Sequence, residues 1–207
     1  MGKPIVDRPG DLPGPIVSIG MPIFNSEKTL RAVIESLLCQ SFRSFELIIS
    51  DNYSTDATSK ICQEYTNIDP RIIYIRQAAN IGPARNFQYV FERATGKYFL
   101  WAAGDDLRSA DFLKENIEFL ESHADYVAST SPNCFEGQAH TKKNLVTFEI
   151  FGSIEQRLQQ FFANCWKSHG IFYSVFQREI FIGTSAISSK AGASLTIASS
   201  MPVNALM

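Results

Sequence analysis

The chain has little sulfhydryl chemistry: Cys39, Cys62, Cys134 and Cys165 are its four cysteines, and no two are spaced as a CxxC pair. That spacing supports no metal-ligand cluster and leaves free, partly buried thiols in a reducing compartment. No apolar run approaches the ~18 residues of a spanning helix. The N-terminus lacks the apolar core of a signal peptide. Prolines at 4, 9, 13 and 15 around Gly10 and Gly14 make residues 1–14 read as a flexible leader. No run of Lys or Arg occurs, and 19 basic against 21 acidic residues leave a formal net charge of -2. Phosphate-backbone binding draws on a basic patch, so the balance argues against a nucleic-acid partner. No GxGxxG follows the first apolar run, where GMPIFNS stands instead, and no GxxxxGK[ST] loop is present. An ordinary nicotinamide enzyme and a P-loop nucleotidase are disfavoured accordingly. One further absence matters below: no Asp or Glu follows Glu179.

What is present suits one domain with a small appendage, since 207 residues carry 45% hydrophobic positions and 16 phenylalanines. IVSIGMPIF (16–24), FELIIS (45–50), RIIYIR (71–76), KYFLWA (97–102) and ADYVAST (124–130) read as strands. Helical stripes separate them. Leu30, Val33, Ile34, Leu37 and Leu38 form the first, behind Ser26 as a cap. Ala57, Ile61, Cys62 and Tyr65 form the second, and Phe87, Val90, Phe91 and Ala94 the third, behind Pro83. Phe112, Leu113, Ile117 and Leu120 form the fourth, behind Ser109. This alternation with short connections predicts an α/β fold, a mostly parallel sheet flanked by helices. Residues 133–144 read as a loop, 154–166 as a helix, 170–181 as a strand entering a turn or helix, and 183–207 as an atypical tail.

In such sheets function gathers beyond the C-terminal strand ends. Three polar clusters, Pro22–Glu27, Asp51–Asp56 and Gly104–Asp106, each follow a strand directly. Asp51 has two readings: an acceptor for a ring N–H of a base, or a cap for its own turn. Asp105 and Asp106 offer hard oxygens of the kind that join magnesium to substrate phosphates. Neighbours on an extended chain point opposite ways, so one carboxylate binds directly and the other supports the loop or caps the next helix.

In order along the chain, VSIGMPIFNSEKTLRAVIESLLCQSFRSFELIISDNYSTDAT, NIGPARN and WAAGDDL resemble the family 2 glycosyltransferases of the nucleotide-diphospho-sugar transferase (GT-A) fold. The resemblance covers residues 15–131 clearly, as a nucleotide-sugar-binding core, and 132–181 more loosely, as a partial acceptor-side region of the same domain. It implies that Pro22, Phe24 and Asn25 line the nucleoside end with Glu27 beside it, and that Asp51 contacts the base. It places Asn80, Gly82, Arg85 and Asn86 near the nucleotide sugar. The family's DxD motif falls on Ala103, Gly104 and Asp105, so the first aspartate is absent. Asp105 becomes the ligand for Mn2+ or Mg2+ on the donor diphosphate, with Asp106 in support.

The implied activity is transfer of a sugar from a nucleotide-diphospho-sugar to a glycan or lipid-linked hydroxyl, with inversion, in surface polysaccharide or glycan synthesis. Inverting members carry an aspartate base beyond the segment resembling HGIFYSVFQRE, and no residue fills that position here. The catalytic base is therefore unassigned. Glu179 belongs to the preceding strand end, and His169 reads equally as an acceptor-side or a core histidine. The expectation is a truncated or altered acceptor region, with donor binding and weak or absent transfer by the isolated chain. Two alternatives stand beside it: an inactive donor-binding or regulatory module, and a sugar-phosphate nucleotidyltransferase. The expected location is cytoplasmic. Peripheral attachment at the inner membrane face and a homo-oligomer contact through the phenylalanine-rich stretch 148–181 are both compatible with the sequence.

Overall fold

The computed structural model describes residues 14–131, 152–153, 156, 159–160, 172–182 and 197–199. The first half alternates as expected: β1 (Val17–Ile23), α1 (Leu30–Leu38), β2 (Phe45–Asp51), α2 (Thr58–Thr66), β3 (Ile72–Arg76), α3 (Pro83–Glu92), β4 (Tyr98–Trp101), α4 (Phe112–Ser122) and β5 (Ala128–Thr130). Then come β6 (Val175–Gln177), α5 (Glu179–Ile182) and β7 (Ile197–Ser199). The strands form a seven-stranded sheet in the order β3-β2-β1-β4-β6-β5-β7. The β1–β2, β1–β4, β2–β3 and β5–β7 pairings are parallel, whereas β6 runs antiparallel to both β4 and β5. Residues 1–13, the loop expected at 133–144, His169 and most of the segments 154–166 and 183–207 lie outside the described residues. Within the tail, Ile197–Ser199 pair with β5.

Pattern explains the two layers. In β1 the residues Val17, Ile19, Met21 and Ile23 share one face, the period-two consequence of an extended chain. They pack with Leu30, Val33, Ile34 and Leu37 of α1, Ile61 and Tyr65 of α2, and Leu113 and Ile117 of α4. The opposite face carries Ile48, Val90, Ala94 and Phe99, so α3 covers it alone among the described helices. All seven residues of β2 are buried, as befits a strand covered on both sides.

The α3 face of the sheet is built for close approach. A Cβ on Gly20 would lie 2.7 Å from both Phe99 and Val90. Gly96, where the α3–β4 connection crosses β1, has even less room. A Cβ there would meet the backbone of Ser18 at 2.7 Å and of Ile16 at 2.9 Å. The Thr95 and Gly96 N–H groups donate to Ser18 Oγ at 3.0 and 2.8 Å, and the Ser18 hydroxyl donates to buried Glu46 at 2.5 Å. Gly96→Ala must push the two backbones apart, and the cost expected for such overpacking is about 2 kcal/mol. Urea unfolding of the variant beside the wild type measures it, and an unchanged midpoint would contradict this packing.

The strand register sets the working edge. Ile23 lies opposite Asp51 and Asp51 opposite Arg76, so β1, β2 and β3 end level. The loops that follow β1 and β2 therefore leave the sheet side by side.

Candidate functional site

Capping here differs from the sequence expectation. Thr29, not Ser26, occupies the N-cap position of α1, and Asp111, not Ser109, that of α4; neither side chain caps its helix. The Thr29 hydroxyl donates instead to the Gly104 carbonyl at 2.7 Å, and the Asp111 carboxylate accepts from the Ser41 hydroxyl at 2.6 Å. Both bonds tie α1 and its flanks to the segment after β4. The Arg108 N–H donates to Ser36 Oγ at 3.3 Å, and buried Gln40 donates to the Ser109 carbonyl at 2.7 Å while accepting from Leu113 N–H at 2.9 Å. Helix α1 is a splint along the whole loop that carries Asp105 and Asp106.

The loops after β1 and β2 are stitched together as well. Asn25, at φ 50°, donates its N–H to Ser54 Oγ at 2.9 Å and accepts from the Thr55 N–H at 2.9 Å. The Ser26 N–H reaches Thr58 Oγ1 at 2.8 Å, and Glu27 Oε2 accepts from Ala57 N–H at 2.9 Å. Asp56 accepts from the N–H groups of Glu27 and Thr58. Slight burial opposes ionisation of Asp56, but the Thr58 hydroxyl and these N–H bonds hold its carboxyl below the usual range.

Between these loops and Gly104 opens a cleft of about 550 Å³. Pro22, Phe24, Asn25, Glu27, Gly104 and Asp105 all line it, so the structure gathers these expected residues in one place. Asp56, the end of the second polar cluster, also lines it, as do Lys28 and Thr29. Phe24 is 48% exposed, which leaves an aromatic face free in the cleft. Gly104 passes close to the first loop, since a Cβ on it would lie 3.0 Å from Ser26 Oγ.

Two expected site residues are turned inward. Asp51 is fully buried: its Oδ1 accepts the Ser54 N–H at 2.8 Å, its Oδ2 accepts the Tyr74 hydroxyl at 3.0 Å, and Arg76 Nε stands 3.7 Å away. These bonds make Asp51 a cap for its own turn, and each carboxylate oxygen keeps a further acceptor site. Asn86 is 2% exposed and exchanges bonds with Ser50, donating to its carbonyl and accepting its hydroxyl. It braces α3 on β2.

Asn80, Gly82 and Arg85 lie off the cleft wall, on the approach to α3. Asn80 Oδ1 accepts from Asn52 at 3.0 Å and from Gly82 N–H at 2.9 Å. Gly82 takes φ 81°, which a side chain would resist, at the N-cap of α3. Arg85 is exposed on the first turn of that helix.

The carboxylate pair has unequal neighbours. Asp105 is exposed and makes no hydrogen bond or ion pair to a described residue. Asp106 Oδ2 stands 3.9 Å from Nη1 of Arg108, whose side chain is only 9% exposed. From the far end of the chain, Phe172 stacks on Trp101 with ring centroids 4.9 Å apart. Next to it, burial pushes the Tyr173 phenol above its ordinary pKa, Asp106 and Asp105 push it further, and Arg108 opposes them. Sequence spacing gave no signal for Tyr173, which comes from a segment far along the chain.

The donor set suits a hard divalent cation shared with a ligand. Among the described residues no group of three or more His, Cys, Asp or Glu could enclose a metal. An exposed carboxylate at a cleft mouth supplies only part of a coordination shell, the arrangement in which water and phosphate oxygens complete it.

Comparison with known proteins bears on this cleft. The family model described as "Glycosyl transferase family 2" matches residues 18–182. The putative glycosyltransferase EpsE of Bacillus subtilis is 40% identical over 114 residues, which are 55% of this chain and 41% of that protein. TuaG of the same organism, a putative teichuronic acid biosynthesis glycosyltransferase, is 36% identical over 108 residues, 51% of this chain and 42% of that protein. The chain thus spans about two fifths of these relatives' length. S. aureus TarS 1-349, solved with UDP-GlcNAc, superposes with TM-score 0.66 at 18% identity, covering 89% of this chain and 56% of that one. A mannosyltransferase from Pyrobaculum calidifontis, solved with GDP-Man and Mn2+, gives 0.61 at 16% identity, covering 98% of this chain and 62% of that one.

Proposed function

We propose, because the chain belongs to glycosyl transferase family 2, that the cleft between Phe24 and Asp105 binds a nucleotide-diphospho-sugar donor. The observation that carries the reading is the convergence of an exposed aromatic face and an uncommitted carboxylate on one cleft at the C-terminal strand edge. Phe24 and Pro22 take the nucleoside end. Asp105 takes Mn2+ or Mg2+ together with the diphosphate, and Asp106 supports the loop. When bound there, such a cation neutralises charge on the departing diphosphate. Asn25 and Glu27 contribute by setting the first loop against the second. Asn80, Gly82 and Arg85 lie toward the sugar-bearing side.

The reaction we assign is a single displacement. The acceptor hydroxyl oxygen bonds to the anomeric carbon, the bond from that carbon to the diphosphate oxygen breaks, and the hydroxyl proton passes to a base. One such displacement inverts the anomeric centre. The acceptor class is a glycan or lipid-linked hydroxyl, which the teichuronic acid biosynthesis role in the name of TuaG supports. No helix among the described residues is long and apolar enough to cross a membrane.

A second reading has its own observation. A general base must come within ~2.6–3.2 Å of the proton it removes, and residues 180–207 hold no carboxylate after Glu179, an exposed residue at the start of α5. On this reading residues 1–207 hold the donor and do not transfer it by themselves. A thermal-shift panel of UDP, GDP, dTDP and CMP compounds, with and without Mn2+, tests the shared part. A nucleotide at 100 times its Kd stabilises by about 2.7 kcal/mol, a rise in Tm of about 5–10 °C at this size. Binding by none would remove both readings. Binding followed by release of free nucleoside diphosphate on a glycan acceptor separates the first from the second.

A further inference from the structure

Arg108 is a cation held beside an acidic pair without being paired well to it. Its side chain is 9% exposed, and Nη1 stands 3.9 Å from Asp106 Oδ2, beyond hydrogen-bond reach. Nη1 donates a long bond, 3.3 Å, to the neighbouring Leu107 carbonyl, while the buried Nε has no partner among the described residues. The guanidinium carbon lies 5.3 Å from the Phe112 ring centre and 5.9 Å from that of Tyr173. Its backbone is pinned to α1 through Ser36. A long flexible cation is thus held largely out of water with only a long ion pair to Asp106, an arrangement with a cost in desolvation.

We propose that Arg108 is an internal counter-cation for the Asp105–Asp106 pair, which keeps the nucleotide-free protein from loading a divalent metal and reserves the pair for metal arriving with a diphosphate. The inference rests on the donor-site reading above. Two adjacent carboxylates alone would attract free Mn2+ or Mg2+. A fixed positive charge against one of them lowers that attraction, as an opposite charge at such range shifts proton affinity by 10-fold or more. A diphosphate brings negative charge of its own, so a metal accompanied by it is far less affected by Arg108. Tyr173 places an aromatic wall over the guanidinium on the side of the later chain segment, which keeps the charge in place. Arg108 is a positioning residue in this scheme and makes no contact with the reacting atoms.

The test is Mn2+ binding to the full chain, followed by the electron paramagnetic resonance of free Mn2+, with no nucleotide present. Arg108→Met and Arg108→Gln are each expected to tighten nucleotide-free Mn2+ binding by about 10-fold, and Arg108→Lys to leave it near the wild-type value. Adding Asp106→Asn to either neutral variant should remove the gain. Asp106→Asn alone, a change at a half-buried residue, should weaken it below wild type, because Arg108 is then uncompensated. Unchanged Mn2+ affinity in Arg108→Gln, with Asp106→Asn also silent, would overturn the proposal. So would weaker nucleotide binding in Arg108→Gln without any tightening of Mn2+, which would make Arg108 a phosphate ligand. A wild-type chain that takes up no nucleoside diphosphate with Mn2+ would instead remove the donor reading beneath it.

Discussion

Asp105→Asn is expected to abolish the dependence of nucleotide binding on Mn2+. The mutation keeps the size of the side chain and removes a carboxylate that lines the cleft without a partner among the described residues. Loss of an outer partner of a metal ligand costs 10- to 100-fold in affinity, so loss of the ligand itself should cost about 100-fold or more. Calorimetric titration with the nucleoside diphosphate found in the panel, at saturating Mn2+ and with chelator, supplies the number. Wild type should bind well only with the metal, and the variant should bind weakly and equally in both. Because Asp105 is exposed, its Tm without ligand should stay within about 2 °C of wild type. Equal affinity in both proteins would move the metal away from this residue.

Asp51→Ala should act by the opposite route, through the fold. Its carboxylate is wholly buried and holds the Ser54 N–H, the Tyr74 hydroxyl and, at longer range, Arg76. Removing it strands these donors, and a buried group left without its charged partner costs about 3 kcal/mol or more. The same turn is fastened elsewhere: Arg76 donates to the Ser54 carbonyl at 2.8 Å, and Tyr53 stands at φ 67° under the Arg76 guanidinium. Thermal unfolding should drop by about 6–12 °C. Asp51→Asn, which keeps an acceptor, should lose less. Burial pushes the Tyr74 phenol up to about 12, with Ser59 opposing and the bond to Asp51 adding, so it remains a donor at any working pH. Tyr74→Phe therefore removes the bond to Asp51 and the weaker contact with Ser59, and should cost about 1 kcal/mol. Nucleotide affinity measured well below the midpoint separates a supporting Asp51 from one that touches the base. A large loss of affinity in a fully folded Asp51→Asn would support the base contact expected from sequence.

The side chain of Asp51 shows where sequence stopped being informative. The alternation of apolar runs and helical stripes located β1 to β4 and α1 to α4, because each must bury a face of fixed period. Polar clusters at the strand ends located the cleft. Direction was harder. In β2 every residue is buried, so the pattern of apolar positions cannot say which way Asp51 points. Only the register that sets it opposite Ile23 and Arg76, beside Tyr74, decides this. Asn86 was more legible than it looked: four residues before Val90, it shares the helix face that meets the sheet. Its amide fits there because Ser50 offers both a donor and an acceptor. Arg108 follows the acidic pair closely enough to notice, but its burial depends on Phe112 and Tyr173 and could not be read from spacing. The caps were misplaced for a related reason, since Thr29 and Asp111 spend their side chains on tertiary bonds.

The splint formed by α1 has an evolutionary consequence. The segment from Gly104 to Leu113 is fastened at Thr29, Ser36, Gln40 and Ser41, so both its ends and its middle are referred to one rigid rod. Insertions or deletions inside it would shift every later staple out of step, and selection should remove them even when they leave Asp105 and Asp106 intact. Substitutions at the rod and at the loop should arise in matched pairs: a hydrophobic residue at 29 or 40 is tolerable only where the opposite backbone finds another donor or acceptor. The length of this loop is then inherited from a helix seventy residues upstream, and diversity among descendants of this chain should collect in the loops that no helix measures.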